Sequence, residues 1–301
     1  MKIITLGFHW AFGAAATIHP KLFPILIMDS SVQHIAFIGG GNMAGAIIGG
    51  LIRQGTPAER ITVVEPFADT AARLQKDWGI QVLAEAGPEL AAAAMVVWAV
   101  KPQVFRAAAA PVAAHTRQAL HLSVAAGIRT DSICQWLQTD RLVRSMPNTP
   151  ALVGQGITAL FACSGVSGAD KVAVEQVIAT TGQFLWVGEE AQLDAVTALS
   201  GSGPAYVFFF LEAMTEAGVG MGLSQEQAYR LAVATFAGAS SLAAASSEPP
   251  EVLRQRVTSK GGTTYAAITA MEQAGVRQAF VQAMRAAEQR ARELGEEFGK
   301  A

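Results

Sequence analysis

The sequence predicts an α/β chain: a Rossmann-type, doubly wound and mostly parallel sheet followed by an all-helical domain. Three observations carry this. A short apolar run, residues 34–38, ends in Gly39-Gly40-Gly41 and leads directly into a helical pattern. From there to residue 187, apolar runs of strand length alternate with helical stretches, the rhythm of βα units whose sheet is covered on both faces. Beyond Gly188 the strand signals stop and every remaining segment has helical character.

In chain order, the strand at 34–38 is followed by a helix over 43–54 and a strand over 61–65 bounded by Pro57 and Pro66. A helix at 70–78, a strand at 80–83 and a short helix at 89–94 come next, then a buried strand at 95–100 stopped by Lys101-Pro102. The series continues with a helix near 104–114 and strands at 119–124, 142–145, 157–162 and 184–187, with a helix at 168–181 between the last two. Helices are expected at 190–199, 205–221, 225–245, 251–258, 263–274 and 276–298. Ser224 with Gln227 has the form of a capping box, and Pro249-Pro250 marks a helix start because proline fits a first turn and breaks an interior. The run from Tyr206 to Leu211 is too apolar for a surface helix, and Glu212 and Glu216 end it before it could span a bilayer. A helix buried against another chain fits it better. The expected division is a dinucleotide-binding domain over 28–188 and a helical substrate and dimerisation domain over 189–301.

Composition limits the function classes. With 301 residues, 51% of them hydrophobic and 15% charged, the chain fills a sizeable core and is not of disordered type. A formal net charge of −2, with Lys and Arg scattered, offers no field for nucleic acid. Two cysteines, Cys134 and Cys163, make neither a disulfide framework nor a metal cluster; each reads as a packing residue, as suits a reducing cytoplasm. Residues 1–27 are apolar, but His19-Pro20-Lys21 and Pro24 interrupt them, and no apolar stretch reaches the ~20 residues of a membrane span. Met28 is a natural start before the first strand, so residues 1–27 are expected to be a dispensable leader or a mis-called start.

The strongest motif is Gly39-Gly40-Gly41-Asn42-Met43-Ala44, a G-x-G-x-x-A placed after a strand and before a helix. Gly39 permits the tight turn, Gly41 lets the backbone approach a pyrophosphate, Ala44 lets helix and strand pack closely, and the phosphates meet the positive helix end. Glu65 ends the second strand where dinucleotide folds hold the adenosine ribose. A carboxylate there accepts from the 2′-hydroxyl and repels a 2′-phosphate, which leans toward NADH over NADPH, although Arg73 lies within reach. Three later segments are polar and glycine-rich beyond the needs of a connection: 144–150, where Asn148 can anchor a loop; 200–206, between two helices; and 258–264, which pairs hydroxyls with the open start of a helix and can cradle a carboxylate. His115 and His121 read as structural, and Glu190 and Asp194 as stabilisers of a helix start.

Together these segments resemble the pyrroline-5-carboxylate reductases, the family of the last reduction of proline biosynthesis. The resemblance runs from about His34 to the C-terminus and is most specific at Met146-Pro147-Asn148-Thr149-Pro150, at 199–206 and at 257–264. It implies a Rossmann domain, then a helical domain interlocked with a second subunit, the homodimer assembling further in some members up to a ring of five dimers. It implies NADPH or NADH held by Gly39, Gly40, Gly41, Asn42, Met43, Ala44, Glu65, Val100, Lys101 and Ala126, and 1-pyrroline-5-carboxylate held by Glu190, Ser259, Gly262, Thr263 and Thr264, with Thr264 the catalytic candidate at the ring nitrogen. Two departures stand out: Ala86 replaces an Asn common on the adenosine side, and Glu65 is acidic where NADPH-preferring members often carry a small polar residue or Arg. Two rival readings remain at this stage. One is a reductase or dehydrogenase of another small acid, in which Lys260 would serve; the other is a non-catalytic nucleotide-sensing module.

Overall fold

The computed structural model describes residues 33–299, so the expected leader at 1–27 lies outside the described residues. The first half winds as β1 (Ile35–Ile38), α1 (Asn42–Arg53), β2 (Ile61–Val64), α2 (Ala68–Trp78), β3 (Gln81–Leu83), β4 (Met95–Trp98), α3 (Pro102–Ala113), β5 (Leu120–Ser123), α4 (Thr130–Leu137), β6 (Leu142–Met146), β7 (Gly156–Ala162), α5 (Gly168–Ala179) and β8 (Gly182–Trp186). Every residue of β1, β2, β4 and β5 is buried, the signature of strands covered on both faces. Side chains along β1 alternate between two apolar clusters, as the period of two requires. Ile35 and Phe37 pack with Ile47 and Ile48 of α1 and Ile178 of α5. Ala36 and Ile38 pack on the other face with Trp98, Phe105 of α3 and Ile133 of α4.

The eight strands lie in the order β3-β2-β1-β4-β5-β6-β7-β8. Neighbours are parallel except β6 and β7, which run antiparallel, with β8 parallel to β7. The sheet is therefore mostly parallel and doubly wound, with β1 at the point where the chain reverses its direction of travel across the sheet.

The second half is α6 (Gln192–Val196), a π turn (Thr197–Gly201), α7 (Gly203–Gly220), α8 (Gln225–Ala245), α9 (Pro250–Arg256), α10 (Thr263–Gln273) and α11 (Val276–Gly299). Ser224 and Gln227 form the expected capping box at the start of α8. Tyr206 and Phe210 of α7 set their rings edge-on to Phe280 of α11, at 5.6 and 5.7 Å. Phe298, near the end of α11, returns to the cluster around Trp98 and Phe105, so the helical half is clasped to the sheet half at both ends. Among the described residues no helix is long and apolar enough to cross a membrane.

Two elements depart from the sequence reading. Helix α4 was not expected: it is only eight residues long and starts Thr130-Asp131-Ser132, types that favour caps and turns. Burial of Ile133 and Leu137, one turn apart, makes it a helix. The segment 200–206, expected between two helices with free backbone N–H groups, continues the helical path instead. Its π turn is closed by the Ser202 N–H on the Thr197 carbonyl at 2.8 Å, and Pro204 then takes the first turn of α7, where its missing N–H costs nothing.

Candidate active site

The carboxyl ends of β2, β1, β4 and β5 are level, since Ile38 stands beside Val64 and Trp98, and Trp98 beside Ser123. The residues that follow them, Gly39, Glu65, Val100 with Lys101, and Ala126, therefore share one edge of the sheet. Gly39 has φ +93°, and a Cβ there would stand 2.7 Å from the Ala99 carbonyl oxygen, so both backbone and space demand glycine. Val100 is its next neighbour, with Cγ1 3.0 Å from the same point. Gly41 is different. Its φ of −70° suits any residue, and no protein atom lies within 4 Å of a Cβ built on it. Nothing among the described residues requires glycine here, and the open space leaves room for a bound group to come close. Gly41 caps α1 without any side-chain hydrogen bond, and the first turn holds no acidic residue, so the N–H groups of Asn42, Met43 and Ala44 are free to meet an anion.

Glu65 is buried, 6% exposed, with one carboxylate oxygen accepting the Gly40 N–H at 2.8 Å and the other the Phe67 N–H at 2.9 Å. It locks the glycine turn to the end of β2 and keeps lone pairs for a ribose hydroxyl. Lys101 is the exposed N-cap of α3, with Pro102 in its first turn, and Ala126 is exposed just beyond β5. These residues and this open helix end fit a nicotinamide dinucleotide.

Glu190 and Asp194, read from sequence as stabilisers of their own helix start, reach instead into the sheet half. Glu190 accepts from the Thr130 N–H at 2.8 Å, the Thr130 hydroxyl at 2.7 Å and the Arg144 guanidinium at 2.6 Å. It therefore caps α4 from outside and neutralises an arginine whose side chain is 4% exposed. Asp194 pairs with Arg129 at 2.9 Å. Asn148 completes the joint as expected of an anchor, donating to the Ser200 carbonyl at 3.2 Å and accepting the Ile157 N–H at 3.0 Å. Beside it, Pro150, Leu199, Tyr206 and Phe210 line an apolar cavity of about 470 Å³. Thr130 was missed in the sequence; an Arg inside the apolar run of β6 was the one available signal that a buried acid must lie opposite.

The third polar segment forms the start of α10. Gly262 is its N-cap, with no side-chain cap and no acidic residue in the first turn. The hydrogen bonds of the turn are local, such as the Thr258 hydroxyl on the Arg254 carbonyl at 2.6 Å and the Gly262 N–H on the Ser259 carbonyl at 3.0 Å. Among the described residues no hydrogen bond engages the hydroxyls of Ser259, Thr263 or Thr264, and all three side chains are exposed. The single chain thus gathers the dinucleotide candidates at one edge and leaves the α10 mouth open to solvent. His121 takes no part: it is buried on β5, accepts the Trp98 indole N–H at 3.0 Å, and is held neutral because burial pushes its pKa down to about 4.

A glycine turn on an open helix end, an acid tied to that turn from the end of β2, a helical domain joined through Glu190 and Asp194, and a matching NADP oxidoreductase family model define a Rossmann-type oxidoreductase that uses NAD(P)H. Comparison with known proteins makes this specific. A family model described as NADP oxidoreductase, coenzyme F420-dependent, matches residues 34–127, and the model for pyrroline-5-carboxylate reductase dimerisation matches residues 190–294. The pyrroline-5-carboxylate reductase of Pseudomonas aeruginosa is 44% identical over 272 residues, 90% of this chain and 100% of its own. The solved reductase of Coxiella burnetii is 38% identical with a TM-score of 0.81, covering 87% of this chain and 98% of that one. The Plasmodium falciparum enzyme, solved with NADP bound, is 26% identical with a TM-score of 0.79, covering 88% and 99%. The chain belongs to the pyrroline-5-carboxylate reductase family. Its activity is the NAD(P)H-dependent reduction of the C=N bond of 1-pyrroline-5-carboxylate to L-proline, the last step of proline biosynthesis.

Proposed function

We propose that substrate is held by the mouth of α10 and the dinucleotide by the edge from Gly39 to Ala44 with Glu65, Val100, Lys101 and Ala126. The observation that carries this is the uncapped first turn of α10, flanked by three hydroxyls with no partner among the described residues. The Thr263 N–H and the Ser259 hydroxyl bind the substrate carboxylate, which the helix end favours electrostatically, while Gly262, its N–H turned to the Ser259 carbonyl, leaves the backbone open to the substrate. Thr264 Oγ1 accepts the N–H of the ring nitrogen. If the imine binds already protonated, that hydrogen bond fixes the plane of the C=N bond and no side-chain acid is needed. When bound, the reduced dinucleotide supplies the hydride to the imine carbon. Glu190 enters as a positioning residue: tied to Thr130 and Arg144, it sets the helical half against the sheet half.

Glu65 favours NADH over NADPH, since its carboxylate is fixed by two N–H groups and cannot swing away from a 2′-phosphate. The working unit is a homodimer through the helical half, with a ring of five dimers as the larger assembly. The free thiols of Cys134 and Cys163 accord with a reducing, cytoplasmic setting. One assay tests substrate and cofactor together: oxidation of the reduced nicotinamide followed by absorbance with 1-pyrroline-5-carboxylate, with β-keto-acid candidates and with no substrate, beside reduction of the oxidised nicotinamide with β-hydroxy acids. Turnover with the cyclic imine alone, at higher kcat/KM with NADH than with NADPH, is expected. Equal or faster turnover with NADPH would remove Glu65 as a discriminator.

A further inference from the structure

The two cysteines stand 29 positions apart in the chain and meet in the fold. Cys134 lies on the second turn of α4 and Cys163 just beyond β7, with their sulfurs 3.9 Å apart. Both are free and half-buried, so small solutes reach them from one side. A packing role alone, as the sequence suggested for each, does not require two thiols in contact at the surface.

A disulfide bond is about 2.05 Å long, so closure needs the sulfurs to approach by roughly 1.9 Å, within the reach of side-chain rotation and a small shift of a short helix. What α4 holds makes such a shift consequential. Thr130, one turn before Cys134, donates both its N–H and its hydroxyl to Glu190, and the same hydroxyl group neighbours Cys163.

We propose that Cys134 and Cys163 form a redox-active pair that closes to an intramolecular disulfide under hydrogen peroxide or a small-molecule disulfide and slows the reductase by displacing Thr130 from Glu190. The kinetic half rests on Glu190 acting as a positioning residue; the disulfide itself does not. With peroxide, the Cys163 thiolate attacks one oxygen, the O–O bond breaks, and water leaves a sulfenic acid on Cys163. The Cys134 thiol then attacks that sulfur, the S–O bond breaks, and a second water departs. Two thiols have given two electrons to one peroxide. With a small disulfide, Cys163 first forms the mixed disulfide, releasing one thiol, and Cys134 displaces the second. The hydrogen bond from Cys134 lowers the Cys163 thiol's pKa, while the same contact and burial raise that of Cys134, so Cys163 is the nucleophile and Cys134 the resolving thiol.

The test uses the full chain, fully reduced and then exposed in parallel to hydrogen peroxide and to oxidised glutathione. Expected are a loss of two hydrogens in the intact mass, protection of both thiols from alkylation, and a cross-linked peptide joining Cys134 to Cys163. With this, kcat/KM should fall by roughly 3–10-fold, the loss of about one hydrogen bond at Glu190, and dithiothreitol should restore it. Cys134→Ser and Cys163→Ser should each keep reduced-state activity and lose the response. Alkylation of both thiols after oxidation, a persistent mixed disulfide or a disulfide between chains overturns the pair. Closure without change in kcat/KM overturns the link through Thr130. A reduced enzyme that does not turn over the imine counts instead against the assigned function.

Discussion

The two halves of the chain spend their apolar side chains in opposite ways. In the sheet half Phe37, Ile47, Trp98, Phe105 and Leu122 are wholly buried, and the sheet is closed on both faces by its own helices. In the helical half the buried apolar residues are Leu193 and the alanines 198, 228, 232 and 291, while Phe208, Phe209, Leu231 and Leu242 stand 57–72% exposed. Large apolar side chains left exposed in this way on a folded chain mark an interaction surface. The difference teaches that the first half is complete as a binding domain, whereas the second is built to be finished by another copy, in keeping with its match to the family's dimerisation domain.

The sharpest way to break this comparison is Phe209→Asp. Burying an unpaired charge in both copies of a symmetric interface costs about 3 kcal/mol or more each, so light scattering should show a monomer, with turnover down ~100-fold or more and dinucleotide binding kept. A dimer that persists would mean the exposed face lies elsewhere. Next in size is a pair of glycine variants. Gly39→Ala meets both the positive φ and the Ala99 carbonyl, and should cost about 2–4 kcal/mol in urea unfolding as well as dinucleotide affinity. Gly41→Ala meets no protein atom, so stability should hold while the dinucleotide Kd rises, ~10-fold for a displaced phosphate contact of about 1.4 kcal/mol. Thr264→Ala should lower kcat/KM by ~10–100-fold, one hydrogen bond of ~1.5–3 kcal/mol to a charged group, with thermal stability and dinucleotide affinity unchanged; unaltered kinetics would take Thr264 out of the mechanism.

The smallest effect is confined to the sheet half. The Arg141 guanidinium holds the Asp170 carboxyl down to about 2, against an unfolded value near 4. A depressed carboxyl stabilises above its unfolded pKa, and that stabilisation is lost as pH falls from about 4 through about 2. Asp170→Asn should flatten the pH dependence of unfolding across that window and leave oligomeric state untouched.

What the sequence disclosed was local. The glycine turn, the strand rhythm and the capping box at Ser224 are written within a few residues, and each formed where expected. Helix α4 escaped notice because its hold on the fold comes from Ile133 and Leu137 meeting the sheet, not from propensity. The partners of Glu190 lie 46 and 60 positions away, and the Cys134–Cys163 contact spans 29, separations across which single residues carry no pairing signal. At the α10 mouth the residue types were readable, since hydroxyls and glycine before a helix are a local pattern; that the single chain leaves them exposed was not.

The π turn at Thr197–Gly201 holds one residue more than an α turn would, with the Ser202 N–H on a carbonyl five positions back. Deleting a single position there would tighten the coil into ordinary α geometry and restore the four-residue bond, so α7 would keep nearly its present facing. Phe208 and Phe209 would then hold their direction, whereas a deletion in the regular coil of α7 ahead of them would turn both by about 100°. The joint can therefore lose one residue without re-aiming those exposed rings.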